Sequence, residues 1–158
     1  TMIPRRGAEV AQITEKSMSD VLEVRCALDV LAVELACGRI TRDEVEELNE
    51  ACRAFEKATE SKDVHVIAKA DVAFHDIIFK AAGNPRLTQM INNLAEQMYR
   101  YRFEYIKDES QHVMLVKEHR QICDSIEKRD VEAAKDAIRQ HIENQEKSII
   151  RQIRLEKK

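Results

Sequence analysis

From about Ser19 onward, apolar residues return every three or four positions, the spacing that lines one face of an α-helix. The pattern divides into six stretches. The first runs from about Ser19 to Cys37, with Gly38 as its stop. The second opens on Thr41-Arg-Asp-Glu44, a capping box in which Thr41 and Glu44 satisfy backbone amides reciprocally, and ends near Ser61. The third spans about Asp63 to Ala82. Gly83-Asn84-Pro85 follows as a helix stop, an N-cap and a first-turn proline in order, the sharpest boundary in the chain. A long fourth helix is predicted from Pro85 to about Lys107, a fifth from about Gln111 to Lys128, and a sixth from about Asp130 to Leu155. Short connections make neighbours antiparallel, so the pattern predicts an all-α fold, an antiparallel bundle of six or seven helices. Residues 1–17 stand outside the period. They hold Pro4, Arg5, Arg6 and Gly7 and read as a linker, which leaves 18–158 as the helical domain.

Composition agrees and removes alternatives. With 44% hydrophobic residues, 35% charged residues, 3 Gly and 2 Pro, the chain is too apolar for disorder and too poor in turn residues for a β fold. A formal charge of −3 supplies no general attraction to nucleic acid or anionic lipid, so DNA binding by this chain alone is not expected. No apolar run approaches the roughly 20 residues of a membrane span, and no signal peptide opens the chain. Cys26, Cys37, Cys52 and Cys123 form no CxxC pair and read as small apolar residues of a reduced cytoplasm.

The informative residues are polar ones on apolar faces. At 100° per residue, Ile67, Ala70, Phe74, Ile77, Ile78 and Ala81 form one stripe of the third helix. Asp71 borders that stripe, and His75 stands one turn further on the same side. His119 falls inside the stripe of Leu115, Ile122 and Ile126, and His141 at the edge of the stripe of Ala134, Ile138, Ile142 and Ile149. A carboxylate facing a core is costly unless something compensates its charge. His119 and His141 bracket the Arg129-Asp130 turn almost symmetrically, at roughly 16 Å from it, so an antiparallel hairpin brings their imidazoles to one height. Asp71, His75, His119 and His141 are therefore a candidate metal set. Three neutral imidazoles and one carboxylate suit Zn²⁺ or Ni²⁺ first, then Mn²⁺ or Fe²⁺. His65 falls on the solvent side and His112 ahead of the regular part of its helix; both read as surface residues.

Several short motifs occur in order: Asp71-Val-Ala-Phe-His75, Ala-Ala-Gly-Asn84-Pro85-Arg-Leu, Glu118-His119-Arg-Gln-Ile, Lys128-Arg-Asp130-Val-Glu-Ala-Ala134 and Arg-Gln-His141, with Glu23-Val-Arg25-Cys-Ala-Leu28 ahead of them. Together they resemble the FCD domain, the C-terminal ligand-binding domain of FadR-type GntR transcription regulators, over about Asp20 to Ile142. Pro4-Arg-Arg-Gly7-Ala-Glu-Val10 resembles the end of the wing of that family's winged-helix DNA-binding domain, so the chain is expected to be a fragment lacking it. The resemblance implies that Asp71, His75, His119 and His141 hold the ion, and that a small carboxylate is the effector. It implies a homodimer that reaches DNA only through the missing domain. It places Arg25 near the effector pocket; Arg100 and Arg102 are weaker effector-binding candidates.

No residue reads as a nucleophile activated by a base, so an enzyme is not expected and no catalytic residue is named. Two other readings compete. His75-Asp76 is an HD dipeptide, as in metal-dependent phosphohydrolases, but Asp76 falls opposite the core on the helix wheel. Alternatively the metal is only a structural staple, which four saturated ligands would favour and an open position would not.

Overall fold

The computed structural model describes residues 13–157. Its seven α-helices are α1 (Glu15–Arg39), α2 (Arg42–Ser61), α3 (Val64–Ala82), α4 (Pro85–Asn92), α5 (Ala95–Ile106), α6 (His112–Glu127) and α7 (Val131–Glu156), with a 3₁₀ turn at Glu109–Gln111. No strand occurs among the described residues. Helix α1 packs on α3 and α7, α2 on α3 and α6, and α6 on α7, which closes the five long helices into a ring. Helix α5 then lies against both α3 and α7. The core so formed includes Leu22, Phe55, Ile67, Phe74, Ile122, Ile126, Ile138 and Ile149, each almost wholly buried. No described helix is long and apolar enough to cross a membrane.

The predicted boundaries form by the predicted chemistry. Thr41 and Glu44 make the reciprocal capping box. Gly83 takes φ +63°, where a side chain would be strained, and Asn84 Oδ1 accepts from the amides of Arg86 and Leu87 behind the Pro85 turn. Asp130 Oδ1 accepts from the Ala133 amide and opens α7.

Four expectations are corrected. Helix α1 starts at Glu15, ahead of Ser19, because Thr14 caps the Ser17 amide at 3.1 Å while Ile13 and Met18 reach the core on either side of the cap. Residues 1–12, with most of the expected linker and wing remnant, lie outside the described residues. Gly38 falls inside the last turn of α1, because the Ile40 amide still reaches Ala36 O. The long fourth helix is two: the Asn93 and Leu94 amides close on Gln89 and Ile91, and Leu94 leaves helical geometry at φ −100°, ψ 0°. The break lets α5 turn across α3 and α7. Finally, His112 is buried, its Nε2 2.7 Å from Ile106 O, because the 3₁₀ turn folds it back onto the end of α5. His65 is exposed, as expected.

A candidate metal centre

Helix α3 contributes Asp71 and His75, α6 contributes His119 and α7 contributes His141, and all four side chains are buried. One ligand atom from each lies within 4.8 Å of the others. Asp71 Oδ1 is 2.9 Å from His119 Nε2 and 3.3 Å from His75 Nε2. The His119 and His141 ring centroids are 5.3 Å apart, as the hairpin symmetry about Arg129-Asp130 requires. Phe74 stacks flat on His119 at 4.2 Å, and Phe55 leans on it at 4.1 Å, fixing that ring between α2 and α3.

The hydrogen bonding around the cluster is divided. Asp71 Oδ2 accepts from Arg102 Nε at 2.7 Å and from Tyr105 OH at 2.6 Å, both on α5. Asp71 Oδ1, His75 Nε2 and both ring nitrogens of His119 have no hydrogen-bond partner. Buried polar atoms are seldom left so, and a cation placed among them would satisfy a set of nitrogen and oxygen donors suited to a divalent metal. His141 is prepared as a ligand from outside. Its Nδ1 lies 2.7 Å from Glu118 Oε1, which fixes the proton on Nδ1 and leaves the Nε2 lone pair for the site. Asn144 donates to the other oxygen of Glu118.

The protonation states of His75, His119 and Asp71 suit metal ligation. Burial pushes His75 down to about 3 and lowers His119 as well, so both imidazoles are neutral near neutral pH. Burial alone would raise Asp71. The His75 and His119 imidazoles close to Oδ1 and the Arg102 charge at Oδ2 outweigh it and hold the carboxyl well below its usual range.

A cavity of about 690 Å³ opens beside the cluster and is lined by Arg25, Lys69, His75 and Arg102 among others. Arg25 Nε donates to buried Asp29 at 2.6 Å, and its remaining nitrogens make no hydrogen bond among the described residues. Of the three arginines selected from sequence, Arg25 and Arg102 border this cavity and Arg100 does not. Arg25 is buried. Asp76 also borders the cavity from the exposed side of α3 and is not among the four clustered ligands. Two residues that support the cluster were not singled out from sequence. Glu118 left a trace, since it falls about 60° from Leu115 on the apolar flank of its helix. Tyr105 left none, because its partner is on another helix.

The FCD domain model matches residues 20–144, most of the chain. The chain belongs to the FCD domain family. The HTH-type transcriptional regulator YdhC of Bacillus subtilis is 24% identical over 139 residues, covering 87% of this chain and 62% of its own length. The FCD chain thus spans less than two thirds of that relative. Among solved structures, Escherichia coli McbR/YncC matches with a TM-score of 0.83 at 18% identity, over 90% of this chain and 72% of that one. The metal-free FCD domain of TM0439 matches at 0.75 with 20% identity, over 92% of this chain and 99% of that one. Both likenesses establish the fold.

Proposed function

We propose that this FCD domain is the effector-sensing part of a cytoplasmic, FadR-type GntR transcription regulator. It holds one divalent ion, Zn²⁺ or Ni²⁺ before Mn²⁺ or Fe²⁺, on Asp71, His75, His119 and His141. A small organic acid binds beside the ion, with Arg25 and Arg102 contributing positive charge. The domain acts as a homodimer and influences DNA binding through a separate winged-helix domain. The observation that carries this reading is the set of buried ligand atoms without hydrogen-bond partners, which His75 links to a cavity lined with cationic side chains. A divalent ion with three neutral imidazoles and one carboxylate keeps net positive charge, which favours a further anionic oxygen in a partly dry pocket. Regulation then requires the acid to bind one domain arrangement better than the other.

The test is a thermal-shift screen of small carboxylates against the domain loaded with each metal, because a ligand of the folded state raises stability by mass action. The acid should be recovered unchanged, and its affinity should collapse in metal-free protein and in His75→Ala. Arg25→Ala should weaken it by about 1.5–3 kcal/mol, the range for a charge-assisted bond. Equal affinity with and without metal would remove the ion from sensing and leave it a staple. Metal-dependent turnover of a phosphoester, lost in Asp76→Ala, would replace the sensor with a hydrolase. A monomer by light scattering would exclude a dimer made by this domain.

A further inference from the structure

The Nε2 lone pair of His141, which Glu118 leaves free for a metal, is already engaged. The Gln145 amide nitrogen, one turn along α7, lies 2.8 Å from it, and the side chain is buried. With the His141 proton held on Nδ1 by Glu118, the contact is an N–H donated by Gln145 to the imidazole. One lone pair serves one partner. A metal bound to His141 at the usual distance of about 2.0–2.1 Å must displace that amide. The displaced group has a destination. Ser148 Oγ is buried without a hydrogen-bond partner, three residues further along the same face of α7. Gln145 and Ser148 also border a small internal void of about 10 Å³, together with Tyr105 and Glu118.

We infer that Gln145 is a latch on the metal centre: it holds His141 in the metal-free protein and passes to Ser148 when the ion enters. The inference rests on the metal-site reading above and adds to it a residue that competes with the ion. In the metal-free state the latch keeps His141 satisfied and oriented, so the site does not collapse. In the loaded state it is released, so metal affinity is set below what the four ligands alone would give.

The sign of a substitution decides the matter. Gln145→Met keeps an unbranched side chain of similar length and removes the donor. It should tighten Zn²⁺ by about two- to five-fold, less than the worth of one net hydrogen bond because Ser148 returns part of it, in competition titrations against a chelator. Ser148→Ala removes the receiving group and should weaken Zn²⁺. The Gln145 side-chain amide resonances of the metal-free protein should shift on adding Zn²⁺. Gln145→Met binding Zn²⁺ more weakly would make the residue a ligand or a support and overturn the latch, as would unchanged affinity. Circular dichroism of both metal-free variants checks that they fold. Failure of the wild-type protein to bind Zn²⁺, Ni²⁺ or Mn²⁺ would instead defeat the metal-site reading itself.

Discussion

Two places where polar groups enter this helical bundle resolve in opposite ways. At the α6–α7 turn, Arg129 adopts φ +57° and sends its guanidinium to the end of α1, donating to Cys37 O and Ile40 O at 2.7 Å each. Two carbonyls at the helix terminus are thereby met. At the candidate metal centre, Asp71 is complete on one side only. Oδ2 is met by Arg102 and Tyr105, while Oδ1 faces His75 and His119 without a hydrogen bond. The first region is scaffold. The second is scaffold outside and, on the function proposed above, receptor inside, since its open atoms converge on one point and their neighbours hold them in protonation states suited to ligation.

Removing the satisfied half of Asp71 should have the largest effect. Arg102→Met leaves a buried carboxylate without its cation and should cost about 3–5 kcal/mol in chemical denaturation of the metal-free protein. A loss below about 1 kcal/mol would mean that Asp71 is not ionised in the fold.

Acid should act next, on the receptor side. His75, and His119 with it, titrate below the ordinary imidazole value near 6.5 in the folded state. Below pH about 6.5 the unfolded chain takes up protons that the folded chain refuses, so stability falls with pH by about 1.4 kcal/mol per unit for each imidazole. For His75 this continues until pH about 3. Asp71, lowered from its ordinary 3.8, adds a loss of the same sign below that value. Bound metal deepens the trend, since a protonated imidazole releases it. Equal stability of the metal-free protein at pH 7 and pH 5 would contradict the neutral, buried imidazoles.

The scaffold region should respond more mildly. Arg129→Ala leaves two carbonyls to water and should cost about 1–2 kcal/mol. Arg129→Gly, which relieves the left-handed backbone, should cost less than Arg129→Ala. Metal binding should be unaffected in both, and a change in metal content would join the two regions that the structure separates.

Sequence made some of this legible and not the rest, for physical reasons. The helices and the four clustered residues showed because burial imposes a 3.6-residue period, and a polar residue that violates it stands out. The hairpin symmetry about Arg129-Asp130 added a distance that needed no structure. The break at Asn93 and Leu94 was silent, since asparagine within a helix costs only a few tenths of a kcal/mol relative to good formers and interrupts no apolar stripe. The support of Asp71 by Tyr105, the engagement of His141 by Gln145 and the burial of His112 are partnerships between separate elements or along one buried face. The fold brings Tyr105 to Asp71 and His112 to Ile106, while the helical spacing of His141 and Gln145 gives their proximity but not that the amide takes up the Nε2 lone pair. Arg25 was half legible: the family resemblance placed it near the pocket, and its buried pairing with Asp29 did not show.

The central claim, that the buried cluster is a metal receptor, is tested most directly by elemental analysis after reconstitution with Zn²⁺, Ni²⁺ and Mn²⁺ in turn and removal of free ion. The account predicts about one tightly held ion per chain for at least one of these metals, by the chemistry of an N₃O donor set. It predicts that ion to be lost in His119→Ala and in His141→Ala and retained in His65→Ala. Wild-type protein that holds none of the three metals, or His119→Ala that holds as much as wild type, would contradict it.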